Sequence, residues 1–174
     1  MGAKGFNLAY DGHLVMQNVP ATDINGAAVH YAVINMEAWN HLDYVVFFGT
    51  SPRAAAVITI GSCSNWVTLA GSPTTETAIP FTYNARILTQ STDGNDVDGA
   101  STAVTVAATG LIPEAGTPNN ILYIISLDSS QLISGHIGFR LNIANAGAAC
   151  TTTVFAICSG ARYAGEARPT VLSV

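Results

Sequence analysis

The chain has 174 residues, of which only 10% are charged, and its formal net charge is −5. Ordinary globular domains contain about 25% charged residues. Lys4 is the one lysine and the arginines are scattered, so the sequence argues against direct nucleic-acid binding through phosphates. A surface with so little charge does little to keep copies apart, which predicts that other subunits partly cover it.

Export and membrane insertion are not expected from the sequence. The first 13 residues lack the apolar core of a signal peptide, and the longest apolar region, 44–60, is interrupted by Gly49, Pro52 and Arg53. We therefore expect folding in a reducing cytosol. The three cysteines, odd in number and without metal-type spacing, are then expected to be buried free thiols.

The first half of the chain reads as an N-terminal arm, residues 1–18, followed by three β segments at 29–36, 42–49 and 54–61. A short strand is predicted within the arm at 13–16, and another after the third segment at 66–69. Segment 42–49, LDYVVFFG, is apolar on both faces. Such a strand is covered on two sides, which predicts a central position in a packed sheet.

The second half continues the β pattern after a Thr- and Pro-rich stretch, 71–80, which predicts a loop. Further strands are expected at 81–88, 101–108, 120–128, 136–145 and 151–158, with a single capped helical turn at 128–133. Segment 120–128 is again apolar on both faces, whereas 136–145 alternates, with Ile137, Phe139, Leu141 and Ile143 on one side. Residues 159–174 are expected to form an extended C-terminal tail.

These patterns predict one all-β domain spanning residues 1–174. About eight strands separated by turn signals, with no amphipathic helix, indicate an antiparallel β-sandwich with extended N- and C-terminal arms. A jelly roll is the leading architecture, and an immunoglobulin-like sandwich is the second.

Metal sites are weakly supported. Asp93, Asp96 and Asp98 lie in the loop DGNDVDG and could supply oxygen ligands to Ca²⁺. Val97 occupies a ligand position, however, and no Glu closes the loop, so a solvated turn is the favoured interpretation. The four histidines lack zinc-type spacing. No metal and no cofactor are expected.

Catalytic signatures are also weak, and we do not expect an enzyme. The sequence contains neither a G-x-S-x-G elbow nor a Gly-rich phosphate loop. Glu37 and Asp43 bracket Trp39 and His41, and a glycosidase needs two carboxylates that flank a sugar, but loop polarity is the favoured explanation for this pair.

Aromatic and basic side chains offer two further hypotheses. Tyr10, Trp39, Trp66 and Tyr163 could form a sugar-stacking platform, although core packing is the favoured explanation. The interface hypothesis rests on residue types that anchor protein contacts, in the N-terminal arm and in the C-terminal tail. Its candidate interface residues are Phe6, Tyr10, Arg162, Tyr163 and Arg168. The tail could instead be a mobile terminus or cover an edge of its own sheet.

Short motifs spread over the chain resemble a group of small tailed-phage virion proteins. They are SGARYAG at 159–165 followed by PTV at 169–171, NMEAWNH at 35–41 before an apolar strand, and DGHL at 11–14. The resemblance implies a structural virion component, most plausibly a capsid decoration (cement) protein.

On that basis we expect a homotrimer that binds the major capsid protein on the outer surface of the head. It would fold in the host cytoplasm and would contact neither membrane nor nucleic acid directly. A head–tail junction or tail component is the first alternative, and a carbohydrate-binding β-sandwich is the second.

Overall fold

Two antiparallel sheets make up nearly all of the secondary structure. The computed structural model describes residues 12–18, 22–49, 55–68, 71–87, 103–113 and 121–161, with the backbone alone at 86 and 87. Within these ranges there are twelve strands and one short 3₁₀ turn, Ser129–Gln131. The strands are β1 (Gly12–Met16), β2 (Thr22–Asp23), β3 (Val29–His30), β4 (Ile34–Asn35), β5 (Trp39–Phe48), β6 (Ile58–Cys63), β7 (Glu76–Ile79), β8 (Phe81–Ile87), β9 (Val104–Val106), β10 (Ile121–Asp128), β11 (Gly138–Ile143) and β12 (Thr151–Ala161).

The larger sheet has seven strands in the order β1–β12–β5–β10–β8–β9, with β2 also pairing with β12. In its middle, Val45 of β5 lies opposite Phe155 of β12 on one side and Ile124 of β10 on the other. The two segments that are apolar on both faces thus become neighbouring strands, β5 and β10. The central position predicted for segment 42–49 is confirmed.

The smaller sheet has the order β3–β11–β6–β7, with β4 also pairing with β11. Segment 29–36, predicted as one strand, is divided into β3 and β4. The division arises because the Val33 amide donates to the Val67 carbonyl, at 3.0 Å, whereas the Tyr31 amide donates to Leu141 of β11. The predicted loop at 71–80 is wrong in part, since it contains β7, which pairs with β6.

The core lies between the inner faces of the two sheets. The Tyr44 hydroxyl crosses from β5 to donate to the Phe139 carbonyl of β11, at 3.0 Å, in a fully buried setting. Phe139, Leu141 and Ile143 are buried in the core, as the alternation of segment 136–145 predicts. The result is a β-sandwich-like, all-β architecture.

The cysteines are part of this interior. Cys63, Cys150 and Cys158 are free and buried, which confirms the expectation for them. Burial raises the pKa of the Cys63 and Cys158 thiols to about 12. Both thiols are therefore protonated at neutral pH and act as small apolar groups.

Three further expectations need correction. Twelve strands are present where about eight were predicted; among the differences, the first β segment is divided, and β2 and β7 were not anticipated. Residues 159–161 belong to β12 instead of an extended tail, since Ala161 still pairs with Trp39. The described part of segment 66–69, residues 66–68, is not a strand.

A buried arginine holds together the side of the smaller sheet that faces away from the core. Arg140 of β11 is 3% exposed. Its Nε donates to the Tyr31 carbonyl at 2.8 Å, its Nη2 to the Gly71 carbonyl at 2.6 Å, and its Nη1 to Glu76 Oε2 at 3.3 Å. Gly61 leaves room for this arrangement, because a Cβ there would overlap the Glu76 side chain. One guanidinium thus connects the β3–β4 connection, the loop after β6, and β7.

We expect Arg140→Met to lower the free energy of unfolding by about 3 kcal/mol, because it leaves two carbonyls without their donor and removes the cation beside the Glu76 carboxylate, which keeps only the hydrogen bond from Asn142. Urea unfolding of the purified protein measures this loss. Glu76→Gln is the matched control: it keeps the side-chain shape and a hydrogen-bonding oxygen, so its loss should be clearly smaller. A loss below about 1 kcal/mol for Arg140→Met would contradict the role given to this side chain.

Candidate functional site

The candidate site is the outer face of the larger sheet, meaning the side that faces away from the smaller sheet. The strand register identifies the side chains on this face, since every second residue of a strand shares a face. One row across four strands is Met16, Phe155, Val45 and Ile124. With the rows on either side, the apolar set on the outer face is Leu14, Met16, Val45, Phe47, Leu122, Ile124, Phe155 and Ile157.

Exposure shows that this apolar set is open to solvent at one side of the sheet. Leu14 and Met16 on the edge strand β1 are 51% and 55% exposed. Towards the middle, Phe47, Leu122, Ile124, Phe155 and Ile157 are half-buried by their neighbours, and Val45 is buried. These residues belong to strands whose other face forms the core. The second apolar face of β5 and β10 is therefore half-buried in its middle, and the apolar set becomes exposed at the β1 edge.

A polar cluster lies at one end of the outer face, where β5 pairs with β10. His41 Nδ1 is 2.9 Å from Asp128 Oδ1, and His41 Nε2 is 3.3 Å from Asp43 Oδ1. The Ser126 hydroxyl donates to the same Asp43 oxygen at 2.6 Å. The cluster therefore joins the two central strands through a chain of four side chains.

The geometry identifies the protonation state of His41. A neutral imidazole has one N–H donor, but both ring nitrogens of His41 face carboxylate oxygens. Only the doubly protonated imidazolium satisfies both contacts. Partial burial on its own lowers the pKa of His41, but the hydrogen bond to Asp128 and the charges of Asp43 and Asp128 outweigh it, so the pKa is raised above 6.5.

The chemistry of the cluster is that of an ion pair. Ser126 donates to Asp43 and not to His41, so the imidazole is not placed to take a proton from the hydroxyl. Among the residues that the structure describes, no group of three His, Cys, Asp or Glu side chains could hold a metal ion. Glu37, the other half of the carboxylate pair considered for a sugar, accepts instead from the Asn35 amide at 2.9 Å.

The five candidate interface residues, Phe6, Tyr10, Arg162, Tyr163 and Arg168, lie outside the described residues. So do Asp93, Asp96 and Asp98 of the calcium hypothesis. The structure thus leaves the interface hypothesis for the arms and the cation hypothesis for the loop as predictions.

The two tryptophans have different environments. Trp39 is 9% exposed and stacks on His13, with ring centroids 5.8 Å apart and an interplanar angle of 21°, which confirms core packing for this residue. Trp66 is 66% exposed, so core packing is wrong for it. Only one of the two is presented to solvent.

The four histidines have separate surroundings. His13 stacks on Trp39, and His41 joins two carboxylates. The Nδ1 of His30 is 2.8 Å from Asn142 Oδ1, and the Nδ1 of His136 is 3.0 Å from Ser62 Oγ. These contacts are hydrogen bonds and ring stacking within the sandwich.

Sequence reasoning missed the outer face and its polar end. The available signal was the pair of segments that are apolar on both faces, 42–49 and 120–128, read together with the polar residues at their ends. The sequence does not show that those two segments pair, because His41 and Asp128 are 87 positions apart.

Comparison with protein-family models, with curated proteins and with solved structures finds no match to this chain. No helix in the described ranges is long and apolar enough to cross a membrane.

The His41 cluster should make stability depend on pH. Because the folded-state pKa of His41 is raised, its contribution is complete below about pH 6.5 and is lost as the pH rises through the folded-state pKa. We expect the stability gap between the native protein and His41→Gln to be about 0.5 kcal/mol larger at pH 5.5 than at pH 8.5, a figure reduced for solvent screening of this third-exposed side chain.

Urea unfolding at the two pH values measures the gap. Asp128→Asn is the control background, because removal of the carboxylate that hydrogen-bonds Nδ1 should shrink the pH dependence of the His41→Gln effect. An equal gap at both pH values would contradict the imidazolium assignment.

Proposed function

We propose that the protein is a structural, non-enzymatic virion subunit of the decoration type, which self-associates and binds the outside of a phage head. The observation that carries the proposal is the apolar outer face of the larger sheet in a chain with 10% charged residues. Contiguous exposed apolar patches on a folded domain mark association surfaces. The location in a virion rests on the sequence motifs that resemble tailed-phage proteins.

The strand order supports the finer proposal that the two sheets form a jelly roll. The larger sheet contains β1–β12–β5–β10 and the smaller contains β3–β11–β6–β7, so the first long strand of the chain pairs with the last. Moving along the chain, β5 is followed by β6 in the other sheet, and β10, β11 and β12 alternate between sheets. Two interleaved Greek keys have this pattern, with β8–β9 as an added hairpin.

A jelly roll suits both of the function classes under consideration. Viral capsid subunits and lectins use this architecture, so the fold alone does not choose between them. The use of the polar side chains favours the structural class. The pairs Arg140–Glu76 and His41–Asp128 each join two strands, and Asp43 holds the second nitrogen of His41.

The mechanism of a decoration protein is mechanical. Each contact with a neighbouring subunit buries surface, and a standard interface of about 1,600 Å² in total holds two proteins firmly. Repetition over a symmetric shell adds avidity, because a subunit that lets go at one contact is retained by the others. Many modest interfaces then resist the outward pressure of packaged DNA.

Carbohydrate binding is the second candidate, and the exposure of Trp66 favours it. An aromatic ring that is 66% exposed can stack on the apolar face of a sugar. This candidate predicts glycan binding that is lost in Trp66→Ala and retained in Ile112→Ala, a control that is 64% exposed and lies in another part of the chain.

The proposed function is tested on purified phage particles and on shells that lack this chain. We expect hundreds of copies per particle on a quantitative gel, and co-sedimentation of the added protein with the shells. Greater resistance of decorated shells to heating is the functional readout. Absence from the particle contradicts the proposal, and six or twelve copies would indicate the head–tail alternative.

A further inference from the structure

The partner of the larger sheet's outer face is a second copy of this chain. The apolar set of that face, as defined above, is Leu14, Met16, Val45, Phe47, Leu122, Ile124, Phe155 and Ile157. We propose that two copies pack outer face to outer face around a two-fold axis near Val45. The inference deepens the self-association in the proposed function and rests on it.

The size of the apolar set fits the centre of a dimer interface. Neighbouring side chains on one face are about 4.8 Å apart across strands and about 6.8 Å apart along a strand, so eight of them cover roughly 260 Å² in projection. A standard interface buries about 800 Å² per partner, with an apolar core inside a polar rim. Around the apolar set, Thr82, Thr105, Ser126 and Thr153 continue the same face as a polar rim, in which the register also places Asn84 and Arg86.

Charge on the outer face favours a copy of the same chain over a foreign partner. None of the eight apolar side chains carries charge, so the centre of the face has no group that would select an oppositely charged protein. It also has no group that would repel its own copy. The charges of the face lie at its two ends: the His41 cluster is at one end, and the register places Arg86 beside Leu122 at the other. A face with opposite charges at its two ends is complementary to an antiparallel copy of itself, which is the requirement of an isologous contact.

The polar cluster sets the relative orientation of the two copies. His41, Asp43 and Asp128 lie together at one end of the outer face, and the imidazolium between two carboxylates leaves a net charge of −1. A two-fold axis that lies in the plane of the interface and runs across the strands places this end over the opposite end of the partner, near Phe47 and Leu122, in the row that Arg86 of β8 continues. A two-fold axis along the strands would instead bring the acidic ends of the two copies together, and like charges in contact oppose association.

Leu14 and Met16 provide the test, because both are more than half exposed and can be changed without disturbing the core. Light scattering after size exclusion should give twice the 18.0 kDa mass of the chain for the native protein. The double variant Leu14→Lys, Met16→Lys should give the single mass, with the dissociation constant raised by about 100-fold or more. Ile112→Lys, a change of the same chemistry at a side chain 64% exposed and outside the face, should remain dimeric.

The inference is overturned if the native protein is monomeric at about 100 μM, which is far above the dissociation constants of stable dimers. It is also overturned if the native protein has the mass of a larger oligomer, or if the double variant leaves the dimer intact. An unchanged urea midpoint for the double variant shows that it is folded. Binding to phage shells is measured separately. A native protein that is monomeric but still binds shells rejects this interface alone. A dimer with no shell binding rejects the virion function alone.

Discussion

The position of β5 between β12 and β10 is the constraint on which the rest of the structure depends. Strand periodicity places Leu42, Tyr44, Val46 and Phe48 on one side, where they form the core against the smaller sheet. The same periodicity places the intervening residues on the other side. Because β5 and β10 are apolar at both sets of positions, a core built from them necessarily creates a second apolar surface. The outer face is thus a direct consequence of these two strands being neighbours.

The polar side chains are organised by the same pairing. Asp128 of β10 lies opposite His41 of β5, and Ser126 lies opposite Asp43, so the register alone brings four polar groups into one cluster. On the smaller sheet, Arg140 has a comparable role. Its side chain is more deeply buried, and its hydrogen bonds reach three segments. Polar chemistry in the described residues therefore serves to align strands and loops.

Composition and architecture both support the association that we propose for this chain. A domain with few charges has little electrostatic repulsion between copies, and an open apolar sheet face supplies attraction. The combination is a hazard for a protein that must remain monomeric, since unpaired apolar surface promotes aggregation. It is an advantage for a subunit that functions in an assembly, where the exposed surface of the isolated chain becomes interior.

The sequence by itself determined the all-β class and the apolar faces of β5, β10 and β11, because these follow from periodicity within each segment. It also predicted the buried cysteines, from their odd number and from the lack of metal-type spacing. It did not predict β7, which begins in a Thr- and Pro-rich stretch and becomes a strand only through pairing with β6. Nor did it predict the interruption between β3 and β4, where Val33 bonds to a loop more than 30 residues away. Tertiary structure alone decided that the second apolar face of β5 lies on the side away from the smaller sheet and that His41 meets Asp128. Both depend on which strands pair and on which side the smaller sheet packs, and contacts between distant segments leave no periodic signal in either segment.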